Sequence, residues 1–248
     1  MFNFNDIPTL ILSLLAVLIT LTLHEYAHGY AAYRLGDDTA KNFGRLTLNP
    51  IKHIDPVGAL CLLVFRFGWA KPVPINPRNF KKPRRDFALS ALMGPLTNIL
   101  CSTVVAFFYL LFLKILSGIN YTSELSYNIA YNSLRFLWIF HITNLGLGVF
   151  NLIPIPPLDG SRFFTALLPP KLYFGIMRYE RRIYLVLLVW LLLGDFVKGS
   201  LLLIPFIANT PALSFLAGIF SLSDIISYII SALSDLIFML FGLIPFLK

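Results

Sequence analysis

Long apolar runs dominate the chain and alternate with short polar, basic or proline-rich segments. A membrane-spanning helix needs about 20 apolar residues, and runs of that length cover residues 8–33, 87–116, 130–153 and 183–207. The last apolar stretch, residues 212–247, is longer than one span needs and is interrupted by Asp224 and Asp235. We expect an interfacial helix followed by a span there. The pattern predicts an all-α polytopic membrane protein with about five to six transmembrane helices.

The segment between the first two long runs, DPVGALCLLVFRFGWAKPVPIN, contains a shorter apolar stretch. As a helix, its apolar part (residues 57–67) would be only about 16 Å long, whereas the bilayer core is about 30 Å thick. Basic residues flank this stretch on both sides, so a segment that dips in and returns fits better than one that crosses. Its glycines and prolines favour strands or loops over helix. We therefore predict a re-entrant β-like element between the first two core helices.

Composition supports membrane insertion and excludes a soluble domain of this length. The chain of 248 residues is 57% hydrophobic with a mean hydropathy of +0.76, and its 13% of charged residues is about half the ~25% of soluble domains. Cys61 and Cys101 lie in separate apolar segments, which indicates buried thiols and neither a disulfide framework nor a cysteine metal site. The opening MFNFNDIPTL lacks a basic region, so we expect no cleaved signal peptide.

The basic residues predict the orientation in the membrane. With the amino terminus outside and the dip returning to its own side, all of the 20 lysines and arginines except Lys114, Arg135 and Lys198 fall on the inner side. Cytoplasmic loops carry such an excess, so the net charge of +8 indicates basic loops and not a nucleic-acid partner. The prediction is a multi-pass protein of the cell membrane with its amino terminus outside.

A polar cluster, HEYAHGY at residues 24–30, lies inside the first apolar run. On a helix, His24 and His28 project from one face one turn apart, so both can reach one Zn²⁺ at about 2.0–2.1 Å. Glu25 follows the first ligand and is placed to take a proton from a water at the metal. The alternative is a satisfied polar cluster between helices, but an ionisable group in a span is by default a functional hypothesis.

A catalytic zinc needs a third protein ligand, and the sequence leaves three candidates. His141 lies near the outer side of its span, too far from His28, and His53 fits a loop hydrogen bond better than a ligand. Asp159 follows three prolines that keep the chain extended and carry it back toward the core. Asp159 equally fits the N-cap of the helix GSRFFTALL, and the spacing alone does not decide between the two roles.

Three motifs in order give the chain a resemblance to a known family. They are HEYAH in the first span, GPLTN at Gly94–Asn98 in the next, and NLIPIPPLDG at residues 151–160. Together with LNPIKHIDPVG and GWAKPVPIN, they resemble the site-2 protease family of intramembrane metalloproteases, over roughly residues 8–165. The resemblance implies that His24, His28 and Asp159 bind zinc and that Glu25 is the general base. It also implies that Asn98 and Asn151 hold the substrate or shape the site.

The expected protein is a short member of that family, because no PDZ or CBS module is visible in the sequence. Residues 1–165 would form the catalytic membrane core, and residues 166–248 the C-terminal membrane helices. The expected activity is that of a zinc endopeptidase, with one Zn²⁺ per chain, cutting transmembrane segments of other proteins near the cytoplasmic face. Its partners would be those substrates and the lipid bilayer, with no nucleic acid; the sequence indicates no oligomeric state.

Two rival functions come from other classes. A metal transporter would use the His/Asp cluster as a transit site, but transporters usually show repeats and polar residues in several spans, and here they concentrate at one depth. A catalytically silent homologue would bind membrane proteins without cutting them. The presence of every catalytic position disfavours that reading.

Overall fold

The computed structural model describes residues 6–65, 68–211, 213–214 and 221–244, and these ranges are helical with short connections. Two single 3-10 turns, at Pro50–His53 and Pro77–Asn79, accompany the α-helices. The helices are α1 (Ile7–Arg34), α2 (Thr39–Asn42), α3 (Pro56–Phe65), α4 (Pro83–Ser117), α5 (Glu124–Leu152), α6 (Asp159–Ala166), α7 (Pro170–Arg178), α8 (Glu180–Leu202), α9 (Pro205–Ala208) and α10 (Leu222–Gly242).

Within these ranges, α1, α4, α5 and α10 are long and apolar enough to cross a membrane. Helix α8 is bent by 43° between its halves and gives a fifth span if it counts as one broken helix. The prediction of an all-α protein with several spans is confirmed. The described residues contain four to five candidate spans, whereas the sequence predicts about five to six. In the tail, Asp224 does not interrupt a helix but lies in the first turn of α10, where a carboxylate complements the helix dipole. Residues 215–220 lie outside the described residues.

The prediction of a re-entrant β-like element is wrong, because residues Pro56–Phe65 form helix α3. In the described residues, pairing is limited to an isolated antiparallel bridge between Ile54 and Ala70. Proline costs little in the first turn of a helix, and Asp55 accepts a hydrogen bond from the Gly58 amide at 2.8 Å, as a cap does. A Cβ on Gly58 would lie 2.2 Å from the Trp69 carbonyl oxygen. The glycine therefore allows the backbone of Trp69 to pack closely against α3. Residues 66 and 67 lie outside the described residues.

Helices α1, α4 and α5 pack together, and α6 packs on α4. Small side chains such as Ala16, Ala91 and Ala106 are buried in this bundle, as is common where membrane helices approach closely. At one end of the bundle, Arg135 of α5 pairs with Asp6, which caps α1. Hydrogen bonds from Thr9 and then Arg135 lower the pKa of Asp6 to about 2. The opposite end of the bundle brings the carboxyl-terminal part of α1 beside the start of α4 and α6.

Candidate active site

Two histidines of α1 meet on one helical turn at the centre of the site. His24 and His28 are 5% and 7% exposed, and their rings are in T-shaped contact with centroids 4.5 Å apart. Their Nε2 atoms lie 3.0 Å from each other. The spacing of four residues on a helix produces this pairing, as the sequence predicts.

Asp159, the first residue of α6, completes a triangle with the two histidines. Its Oδ2 lies 3.0 Å from His24 Nε2 and 3.1 Å from His28 Nε2. The sequence also allowed Asp159 to be the N-cap of α6. In the structure Leu158 occupies the N-cap position, and Asp159 is the first residue of the helix.

The donor set suits zinc in both type and spacing. Two imidazole nitrogens and one carboxylate oxygen are common ligands of catalytic zinc, and in tetrahedral coordination at about 2.0–2.1 Å neighbouring ligand atoms lie about 3.3 Å apart. The three atoms of His24, His28 and Asp159 already converge to about that spacing. Small movements of the side chains would open the triangle to the separation that the metal requires.

The other nitrogen of each histidine is held by α4. His28 Nδ1 donates to the Ser90 carbonyl oxygen at 2.8 Å, and His24 Nδ1 lies 3.0 Å from Asn98 Oδ1. Because these acceptors take the Nδ1 protons, both Nε2 lone pairs face Asp159. Such outer partners fix the ring orientation and the tautomer of a ligating histidine. Asn98 is thus in direct contact with the His24 ring.

Glu25 lies beside His24 on α1, and a backbone amide outside the helices holds its carboxylate. The Val73 N–H donates to Glu25 Oε2 at 2.8 Å. This bond occupies one carboxylate oxygen and restricts the long side chain. The second oxygen, Oε1, takes no part in this bond.

Gly94 lets α4 approach the histidine pair. A Cβ built on Gly94 would lie 2.3 Å from His28 Nε2 and 2.8 Å from His24 Cε1. Any larger residue at this position would therefore displace both rings. Gly160 has a similar role at the start of α6, where a Cβ would lie 2.2 Å from the Leu152 carbonyl oxygen.

The remaining candidates lie elsewhere. Asn151 donates to the Leu147 carbonyl oxygen of its own helix, and no contact of its side chain with the three clustered residues is seen in the described residues. His53 Nε2 is 2.8 Å from the Thr47 carbonyl oxygen, a loop hydrogen bond. His141 lies between Ser102 Oγ at 2.8 Å and Ser234 Oγ at 3.0 Å.

Sequence reasoning missed the roles of Ser90 and Val73. Both act through backbone atoms, a carbonyl oxygen and an amide, so no side-chain motif marks them. The only available signal was position, since Ser90 precedes Gly94 by one helical turn and Val73 lies in GWAKPVPIN.

Comparisons with known proteins give a matching family model and several relatives. The family model described as "Peptidase family M50" matches residues 12–193. "Putative zinc metalloprotease YwhC" of Bacillus subtilis (strain 168) is 41% identical over 197 residues, which cover 79% of this chain and 86% of that protein. "Putative zinc metalloprotease Rip2" of Mycolicibacterium smegmatis is 26% identical over 180 residues, 71% of this chain and 64% of that protein.

The Mycobacterium tuberculosis (strain H37Rv) protein with the same Rip2 name is 29% identical over 189 residues, 73% of this chain and 66% of that protein. No solved structure matches the chain. The family model covers well over half of the chain, and the Bacillus relative extends over most of both sequences. The chain therefore belongs to peptidase family M50, the site-2 protease family, and is a zinc metalloprotease.

Proposed function

We propose that the protein is an intramembrane endopeptidase that hydrolyses peptide bonds within or near the transmembrane segments of other proteins. One observation carries the proposal: the Nε2 atoms of His24 and His28, on the apolar helix α1, converge within 3.1 Å of each other and of Oδ2 of Asp159. Glu25 stands beside them with one carboxylate oxygen free of the Val73 bond. Catalytic chemistry of this kind inside a span suits a substrate that also lies in the membrane.

In this proposal, His24, His28 and Asp159 hold one zinc ion per chain. Zinc, when bound, polarises the peptide carbonyl and makes water a better nucleophile near neutral pH. Glu25 accepts the proton of the attacking water on Oε1 and passes it to the nitrogen of the leaving amine. Val73 holds Oε2 during this exchange, and Asn98 keeps the His24 ring in place. Asn151, which is turned to its own helix, contributes to the substrate path and not to the metal.

The proposed site faces the cytoplasm, and the amino terminus lies outside. His28 is six residues before the end of α1 at Arg34, or about 9 Å along the helix. The site is therefore near the end of the bundle that carries the basic segments between α1 and α4. The excess of basic residues at this end supports a cytoplasmic location, and the working partners are membrane-protein substrates within the bilayer.

The direct test is to incubate the purified protein in detergent with a reporter carrying one transmembrane segment, with and without a chelator. We expect cleavage within or next to that segment, located by mass spectrometry of the products. Chelation should stop cleavage and added zinc should restore it. No cleavage of any of several such reporters by zinc-loaded protein, or cleavage that ignores the chelator, would refute the proposal.

A further inference from the structure

The segment that donates to Glu25 is tied down at both ends. We call residues 71–76 the strap. At its start, the Lys71 amide donates to the His53 carbonyl oxygen at 2.9 Å, and Arg45 donates to the Lys71 carbonyl oxygen at 2.7 Å. At its end, the Asn76 amide donates to Asp37 Oδ2 at 2.7 Å. The amide of Val73 that binds Glu25 lies between these two anchors.

The strap is pressed against the same helix that carries Glu25. Val73 is 8% exposed, and a Cβ added to Gly29, one turn after Glu25, would lie 3.1 Å from Val73 Cγ1. The strap therefore has little room to move toward α1. Its position depends on the anchors that keep it from moving away.

Asp37 anchors the end of the strap. It is fully buried, and besides the Asn76 amide its carboxylate accepts hydrogen bonds from the Thr39 amide at 3.1 Å and the Asn79 side chain at 2.7 Å. Burial raises the pKa of Asp37, but the hydrogen bonds from Thr39, Asn76 and Asn79 outweigh it and lower the pKa below 3.8. A buried carboxylate is tolerated only when it is bonded in this way, so its removal leaves several donors without a partner.

We propose that Asp37 is a positioning residue for Glu25, acting through the strap and the Val73 amide. The inference rests on the proposed role of Glu25 as the base. A glutamate side chain has three rotatable bonds, and the Val73 bond restricts them. Without Asp37, the Asn76 end of the strap is released, and Glu25 loses a fixed partner although every zinc ligand remains. Displacing a catalytic group by 1 Å can lower the reaction rate by about 10²-fold.

The test compares Asp37→Ala with Asp38→Ala in the full-length, zinc-loaded protein. Asp38 is the neighbouring exposed aspartate and makes no side-chain capping bond to α2, so its removal takes away the same charge without touching the strap. For Asp37→Ala we expect kcat to fall by roughly 10-fold to 100-fold, while KM and zinc content stay at the wild-type level. Hydrogen–deuterium exchange of peptides covering residues 71–77 should become faster. Asp38→Ala should match the wild type in every measurement.

A conservative variant guards against a simple folding defect. Asp37→Asn keeps one oxygen to accept the Asn76 amide and should recover part of the lost kcat and of the exchange protection. Unchanged kcat in Asp37→Ala despite faster exchange of the strap would overturn the inference, as would loss of zinc in parallel with kcat in both variants. A wild type that does not cleave would instead overturn the proposed function, which separates the two failures.

Discussion

At the residue scale, the site shows how three polar side chains persist among apolar helices. Each histidine uses both nitrogens, Nδ1 toward α4 and Nε2 toward Asp159. Unpaired polar groups at this depth would cost several kcal/mol each. The Nδ1 bonds satisfy one side of each ring, and the proposed zinc would satisfy the two Nε2 lone pairs and the Asp159 carboxylate.

Replacing Asp159 by alanine should weaken zinc binding. Loss of an outer-shell partner of a metal ligand typically costs about 10-fold to 100-fold in metal affinity, so loss of this ligand should cost about 100-fold or more. His53→Ala and His141→Ala should keep full zinc, because both side chains are bonded elsewhere. The measurement is the zinc content of the three purified variants. Full zinc occupancy in Asp159→Ala would exclude Asp159 as a ligand.

Much of this residue-level picture can be predicted from the sequence. The rest cannot, and the reason is physical. The pairing of His24 with His28 follows from helix geometry alone. Asp159 is 135 positions from His24, and no local pattern could decide between a ligand and an N-cap. The bonds from Ser90 and Val73 use backbone atoms, which any residue possesses, so sequence carries no mark of them.

At the element scale, the close approach of α4 to α1 decides whether the histidines keep their place. We predict that Gly94→Ala displaces both rings and lowers zinc affinity sharply, since the added Cβ would lie 2.3 Å from His28 Nε2. Overpacking of this kind also costs about 1–3 kcal/mol of stability. Gly175→Ala is the matched control, because a Cβ there meets nothing within 4 Å. Equal zinc titrations for the two variants would contradict the packing described for α4.

The connection between α1 and α4 should respond to acid through Asp37. Its pKa is lowered in the folded protein, so its stabilising contribution is present above the ordinary value of 3.8 and is lost as the pH falls through the folded value. The thermal stability of the wild type should therefore exceed that of Asp37→Asn near neutral pH. That difference should shrink below about pH 4. A difference that stays constant from pH 7 to pH 3 in thermal melts would show that ionisation of Asp37 does not matter.

This same connection is where the element prediction failed. A short apolar segment with proline and glycine is typical of a strand or loop. In the structure, however, Pro56 lies at the start of α3, and Gly58 packs against the backbone of Trp69. Taken singly, proline and glycine do favour turns and loops. What the sequence did not reveal was the tertiary contact that makes glycine useful inside a helix.

At the scale of the whole molecule, α1, α4 and α5 form the part of the bundle that holds the proposed site residues. The exceptions are Asp159, which α6 supplies, and Val73, which lies in the connection before α4. The long apolar runs predicted these helices, because spanning length and hydropathy are strong signals. The division into a catalytic core at residues 1–165 and C-terminal membrane helices at 166–248 stays a prediction. Helices α8 and α10 contact each other, and α10 also packs on α5.

The proposed orientation predicts that Lys81 and Thr122 lie on opposite sides of the membrane. Both are exposed, Lys81 before α4 and Thr122 in the connection between α4 and α5. Single cysteines at these positions, in a background with Cys61 and Cys101 replaced by alanine, should label differently in intact cells. An impermeant thiol reagent should reach Thr122→Cys at once and Lys81→Cys only after the membrane is opened. Labelling of both from outside would reject the orientation.

The proposed mechanism needs a bound zinc and a separate base within one turn of α1. Glu25→Gln tests this most directly, because it preserves the size of the side chain and all three proposed ligands. We predict that the variant binds as much zinc as the wild type and cleaves a transmembrane reporter more slowly by about 10²-fold to 10⁴-fold, the usual contribution of general acid–base catalysis. Cleavage at close to the wild-type rate by fully loaded Glu25→Gln would exclude Glu25 as the general base.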